Sequence, residues 1–291
     1  MSAKIHNIAV SGFGTGTNDK YDQYRPSYPS SALQTIHAAL PKSLDPAGLT
    51  ILEPGSGTGI FSRLLLHAPD PSYPSFPIKS LVAIEPSEGM RAAWDKGLAK
   101  IDPAQELRGA AKTVEGSFDD FAQSRVEPGT VDGIIVAQAW HWCPDHSSAL
   151  REVAQYLQPN GVLVFIWNLE HKQPGWTTEL REFYEPYDLG TPQYYRGLWR
   201  DTFKVPAYDE LFEAPQESTS RWSLPMTEDQ LVERITSKSY LTEGHLNGEK
   251  REKFLAEVRR IIRQGDKEWV DQENGLFKYE YNTDVVVMKK K

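Results

Sequence analysis

The run Ile51-Leu52-Glu53-Pro54-Gly55-Ser56-Gly57-Thr58-Gly59 constrains this chain more than any other stretch. Ile51 and Leu52 read as the end of a buried strand. The alternate glycines Gly55, Gly57 and Gly59 then give a turn that tolerates positive φ and lets a ligand touch the backbone. Helix follows at once, because Phe61, Leu64 and Leu65 fall at i, i+3 and i+4 on one apolar face. Strand, glycine turn and helix in this order predict an α/β fold with a cofactor loop.

The chemistry of that loop narrows the ligand. A dinucleotide loop has the spacing G-x-G-x-x-G, whose last glycine permits close helix packing over a pyrophosphate. Here the spacing is G-x-G-x-G and position 60 is Ile. Glu53, two residues before the first glycine, would repel a pyrophosphate and attract an amino group, which favours a zwitterionic ligand. Residues 51–59 resemble the first motif of class I S-adenosylmethionine-dependent methyltransferases. The resemblance implies that S-adenosyl-L-methionine is the cofactor and that Glu53, Gly55 and Gly57 hold its methionine part. On the loop alone, a glycine-rich turn in some other α/β domain stays open.

Length and charge bound the rest. With 291 residues and 39% hydrophobic content the chain can bury one large core, or one core with a modest cap. A net charge of -8 with no long Lys/Arg block makes nucleic acid a poor partner. The longest apolar runs, such as VLVFIW, are strand-sized and far short of a membrane span, and the N-terminus lacks the build of a signal peptide. A cytoplasmic protein is expected. The only cysteine, Cys143, rules out an intrachain disulfide.

Residues 1–18 read as a flexible arm without apolar periodicity. DKYDQYRPSYP, residues 19–29, is too polar for core and suits either a lid with a ligand task or an arm stapled by aromatic packing. Its wording YxxYRPSYP is similar to the N-terminal signature of a methyltransferase subgroup that includes fungal trans-aconitate methyltransferase-like small-molecule enzymes. That resemblance implies a segment closing over the cofactor, with Tyr21 and Arg25 holding the methionine carboxylate.

Strands are expected at LVAIE (81–85), within AAKTVEGSFDDF (110–121), at VDGIIVAQ (131–138), at GVLVFIWNLE (161–170) and at STSRWSL (218–224). Glu85, at the carboxyl end of the second, is placed to accept both ribose hydroxyls, with Pro86 beside it; Ser87 caps the next helix. By the resemblance, Ser117 and Phe118 border the adenine and Gln138 closes the cofactor site. AQAWHWC, after the fourth strand, brings His141 to the same crevice as Gly55 and Glu85. His141 could act as a base, as a hydrogen-bond donor to the acceptor, or only to order its loop. HWCPDH matches no common zinc spacing, so no metal is expected.

Residues 171–214 mix aromatics with charge and suit a cap, or a packed aromatic insertion. Helices are expected from Thr227 and over 249–263, Ser237, Ser239 and Tyr240 are candidate pocket walls, and FKYEYNTDVVVMKK reads as a closing hairpin-like strand pair. The whole is expected to be a Rossmann-like seven-strand α/β methyltransferase sheet, mostly parallel with an antiparallel last strand, spanning 19–291 with an N-terminal lid and a helical cap. The function implied is methyl transfer to a small organic molecule. A carboxylate is favoured because the resembled subgroup includes carboxyl methyltransferases and because Arg181, Arg196 and Arg200 would charge the cap. O-, N- or S-methylation with His141 as base, a nicotinamide-dependent reductase, and a cofactor-binding protein without methyl transfer stay open.

Overall fold

A computed structural model describes residues 22, 24–42, 45–101, 110–172 and 175–291, so the arm 1–18 and Tyr21 lie outside the described residues. Five strands run parallel: β1 (Leu49–Pro54), β2 (Ile78–Ile84), β3 (Ala111–Val114), β4 (Val131–Ala137) and β5 (Leu157–Glu170). They are joined through α2 (Ile60–Leu66), α3 (Glu88–Leu98) and α4 (His146–Tyr156), while α1 (Ser30–Ala39) precedes them. After β5 come α5 (Trp176–Tyr184), three short 3₁₀ turns, α6 (Pro206–Leu211), β6 (Gln216–Met226), α7 (Glu228–Thr236), α8 (Gly248–Gln264), β7 (Trp269–Asp271) and β8 (Leu276–Lys289).

The sheet order is β3-β2-β1-β4-β5-β8-β6, with β7 paired to β8 off that path. β8 lies antiparallel between β5 and β6. The chain leaves β1 toward β2 on one side and returns to β4 on the other, so a topological switch point falls between β1 and β4. In open α/β sheets that is where ligands bind, beyond the carboxyl ends of the strands.

Two expectations are corrected. The sheet has eight strands because β7 adds a short hairpin arm. The C-terminal segment is one 14-residue strand, not a pair. Its Asn-Thr-Asp stretch looks like a turn, yet cross-strand partners satisfy it in extended form: Thr283 Oγ1 donates to Asn168 Oδ1, and Tyr194 and Thr219 hydroxyls donate to Asp284.

Alternation along the strands divides the core. Leu52, Val82, Ile134 and Phe165 face α4 and α6, whereas Ile51, Leu81, Ile135 and Val164 face α1, α2 and α3. A third apolar cluster joins α5, α7 and α8 to Phe277, Tyr279 and Tyr281 of β8. β8 is antiparallel to β5, with Tyr281 opposite Glu170, so this third cluster lies past the carboxyl end of the parallel strands. It thereby walls the crevice. Among the described residues no helix is long and apolar enough to cross a membrane.

Candidate active site

The glycine loop leaves β1 with Gly55, Gly57 and Gly59 at φ of 71°, 56° and 81°. A Cβ on Gly55 would lie 2.6 Å from Ala139 Cβ, while one on Gly57 would meet nothing within 4 Å. One glycine therefore lets two loops approach, and the other borders open space. The loop is pinned from the N-terminal segment: Asp22 accepts from Thr58 Oγ1 at 2.9 Å and from the Arg63 guanidinium.

Glu85 completes this cradle. Its carboxylate accepts from the Gly57 amide and from the Ser87 amide, both at 2.9 Å, so the end of β2 fixes the glycine loop of β1. Burial pushes the Glu85 carboxyl above its ordinary range, against the pull of those two amides and Arg91. Arg91 holds the turn by donating to the carbonyls of Glu85 and Pro86. Ser87 caps α3 by accepting from the Met90 amide.

Glu53 is fully buried below the loop. Trp94 Nε1 donates to Ser62 Oγ at 2.7 Å, and Ser62 donates in turn to Glu53 Oε2. Glu53 Oε1 accepts no hydrogen bond from any described residue. Burial lifts this carboxyl to about 8, only partly offset by Ser62 and Arg63. A buried acceptor oxygen beside a glycine cradle fits an ammonium group.

Gln138, directly after β4, has φ 56°, an uncommon conformation for a residue with a side chain. Its amide donates to the Ile166 carbonyl and its side chain to the Asn168 carbonyl, locking the β4 end to β5. One cleft is lined by Arg25, Glu53, Gly55, Gly57, Glu85, Pro86, Ser117, Phe118 and Gln138 together, with Met90, Asp119 and Asp145 at its wall. Ser117 Oγ donates to Asp119, and the Phe118 ring packs edge-on against Trp140.

His141 borders a second cavity, which shares Arg25, Gln138 and Trp142 with the first. Trp167 Nε1 donates to His141 Nδ1 at 3.2 Å, so the neutral ring carries its proton on Nε2. Burial, with Arg25 nearby, lowers its pKa to about 3.

Beyond His141 the second cavity is lined by Asn168, Glu170, Arg234, Lys238, Ser239 and Tyr240. Ser237 stands outside it but accepts from Arg25 Nη2 at 3.1 Å through its carbonyl. Burial would raise Glu170, yet Lys238, Arg234 and Arg181 outweigh it and hold the carboxyl ionised, well below its usual range.

Of the three arginines expected to charge a cap, Arg181 pairs with Glu185 and donates to the Glu170 carbonyl, Arg196 pairs with Asp188, and Arg200 with Glu217. The cationic side chains at the second cavity are instead Arg25, Arg234 and Lys238. Sequence reasoning missed Arg234 and Lys238, since positions facing inward from a helix end carry no motif. Asp22 was missed as well, although it sits inside the YxxYRPSYP segment. Among the described residues no group of three or more His, Cys, Asp or Glu side chains is arranged to hold a metal ion.

Comparison with known proteins agrees with this geometry. Residues 52–165 match the methyltransferase domain family. The chain is 30% identical to an uncharacterised methyltransferase of Mycobacterium tuberculosis over 90% of this chain and 89% of that protein. An uncharacterised methyltransferase-like protein of Schizosaccharomyces pombe is 24% identical over 88% of each chain. A solved structure assigned as a type II methyltransferase from Anaeromyxobacter dehalogenans superposes with a TM-score of 0.57 at 20% identity, covering 90% of this chain and 97% of that one. A second, Haemonchus contortus phosphoethanolamine N-methyltransferase 2 in complex with S-adenosyl-L-methionine, gives 0.52 at 13% identity over 95% of this chain and 57% of that one. With its sheet order, its glycine cradle and a relative matched over nearly its whole length, this chain belongs to the family of S-adenosylmethionine-dependent methyltransferases.

Proposed function

We propose that the first cleft holds S-adenosyl-L-methionine and that the second receives a small organic acceptor, with a carboxylate favoured over acceptors that must lose a proton. The observation that carries the carboxylate reading is the Trp167 to His141 hydrogen bond. With Nδ1 already accepting, the neutral ring offers only an Nε2 proton, which suits a donor that orients an ionised oxygen. A base would need a free lone pair near neutral pKa. A carboxylate is ionised at pH 7 and needs none.

On this reading the chain's own residues bind, orient and exclude water. Glu53 Oε1 accepts from the ligand's ammonium group, Glu85 accepts from the ribose hydroxyls, and Tyr21 and Arg25 take the methionine carboxylate. Ser117 and Phe118 border the base, and Gln138 holds the wall common to both cavities. The bound cofactor supplies an electrophilic methyl on a sulfonium, which an acceptor oxygen displaces in line. Residues 19–29 act as lid and 171–214 as cap, so catalysis is alignment in a dry site.

The test is a panel of small acids, phenols, amines and thiols incubated with enzyme and methyl-labelled cofactor. Methyl esters formed from acids alone would support the reading. Methylation confined to phenols, amines or thiols would overturn it. Loss of S-adenosylhomocysteine binding while NADH binds would favour a reductase instead.

A further inference from the structure

One wall of the second cavity gathers two basic side chains around a single acid. Glu170 ends β5, is 2% exposed, and receives Arg234 Nη2 at 2.9 Å and Lys238 Nζ at 3.0 Å on the same oxygen, Oε1. Two buried basic side chains thus converge on one carboxylate. Arg181 also stands near, but its guanidinium is matched by Glu185. The rings around Arg234 are those of Tyr184, Tyr279 and Tyr281, which bring no negative charge at neutral pH.

Hydrogen-bonding capacity is unbalanced as well. Arg234 is 1% exposed, yet its Nε and Nη1 make no hydrogen bond to any described residue, and neither does Glu170 Oε2. A buried guanidinium with two idle donors is costly unless something accepts from them. A one-to-one ion pair would already have satisfied Glu170. Burial, only partly offset by Glu170, lowers the Lys238 ammonium to about 7, so a further anion is needed to hold its charge in full, and Arg234 and Lys238 both border the cavity.

We propose that Arg234 and Lys238 form a preformed subsite for a carboxylate of the acceptor, and that Glu170 is the internal anion that keeps the two cations aimed before it arrives. A planar fork and a point charge, spread over adjacent turns at the end of α7, suit a two-oxygen anion. The two residues then set specificity for acidic acceptors. This rests on the reading of the second cavity as the acceptor site, and the experiment separates the two.

Wild-type protein is titrated calorimetrically with benzoate and butanoate, and with benzamide and butanamide as neutral counterparts, both alone and saturated with S-adenosylhomocysteine. The same titrations are run on Arg234→Met and Lys238→Met. Either substitution leaves one basic side chain on Glu170; melting temperatures check the fold, and Arg234→Gln serves if Arg234→Met does not fold.

The acids are expected to bind at least roughly tenfold more tightly than the amides, and each variant to erase most of that preference while S-adenosylhomocysteine affinity holds. Equal binding of acid and amide, or a preference that survives both substitutions, overturns the subsite. Absence of S-adenosylhomocysteine binding to the wild type would sink the methyl-transfer reading alone, since the titrations without it still report on the anion.

Discussion

Trp167 Nε1 donates a 3.2 Å hydrogen bond to His141 Nδ1, which fixes the tautomer of the histidine that lines the second cavity. The bond joins the loop after β4 to the middle of the β5 end, and Trp167 is itself held by stacking on Tyr194 with ring centroids 4.7 Å apart. The histidine is a fixed donor.

With its pKa near 3, His141 stays neutral through the whole working range. A folded pKa depressed below the ordinary value means that no His141 proton is gained until the pH falls to about 3, so His141 should add no inflection to the rate of methyl transfer between about pH 5 and 8. His141→Ala should slow turnover about ten- to a hundredfold, the loss of one hydrogen bond to a charged group, without introducing an inflection. A rate that climbs through pH 6 to 7 in the wild type and vanishes in the variant would make His141 the base and remove the carboxylate.

Gly55→Ala should damage both fold and cofactor affinity. The residue sits at φ 71°, and a Cβ there would come 2.6 Å from Ala139 Cβ on the loop that follows β4. Strain of this kind costs about 1–3 kcal/mol, and in a chain of this size each kcal/mol lowers the melting temperature by about 2–4 °C. Gly57→Ala shares the positive-φ strain but not the clash, because its Cβ would meet nothing within 4 Å. It should lose more ligand affinity relative to stability than Gly55→Ala. Equal ratios of the two losses would deny Gly57 its place beside the ligand.

Glu85→Ala should weaken S-adenosylhomocysteine binding by about 1–3 kcal/mol if the carboxylate accepts from the ribose. The same side chain holds the Gly57 amide at 2.9 Å, which offers a second route to the same loss. A 2′,3′-dideoxy ligand separates them. Its affinity should fall much less in the variant than that of the parent; an identical fall for both would assign Glu85 to the loop alone.

The glycine loop and the acids beside it were legible in the sequence because short-range rules write them. Gly55, Gly57 and Glu53 lie within five positions, and Glu85 ends an apolar run that could only be a buried strand. The β8 strand was half legible: Val285 to Met288 had to be interior, but Asn282-Thr283-Asp284 could be read as extended only once Asn168 and Tyr194 were known to face it. The wall of the second cavity was not legible. Glu170 and Arg234 are 64 positions apart in chain numbering and meet at 2.9 Å through tertiary packing alone. Arg181, Arg196 and Arg200 look like free charge in the sequence, and their neutralising acids emerge only when the cap is folded.

Glu53 gives the prediction with a sign that can reverse. Its carboxyl is lifted from 4.5 to about 8 by burial, so without ligand it holds its proton at neutral pH. A folded pKa above the unfolded one stabilises the fold below about 4.5, and that contribution is lost as the pH rises through 8. Its Oε1, with no donor among the described residues, is the acceptor offered to the ligand's ammonium. Below pH 8 the free ligand already carries that ammonium, so forming the carboxylate–ammonium pair must expel the Glu53 proton. Well above pH 8 Glu53 is ionised beforehand, and the same pair takes a proton up once the pH passes the pKa of the ligand's own amine. Calorimetry of S-adenosylhomocysteine binding in phosphate and in Tris should therefore report close to one proton released at pH 6.5, and a release that shrinks and then reverses as the pH rises through 8 and beyond. Glu53→Gln should abolish the release. Ser62→Ala removes the donor to Oε2 and should shift the crossover to higher pH, because the ionised form loses a hydrogen bond. Binding that is proton-neutral at pH 6.5 in the wild type would place the ammonium elsewhere and leave Glu53 as a buried acid of the Trp94–Ser62 chain.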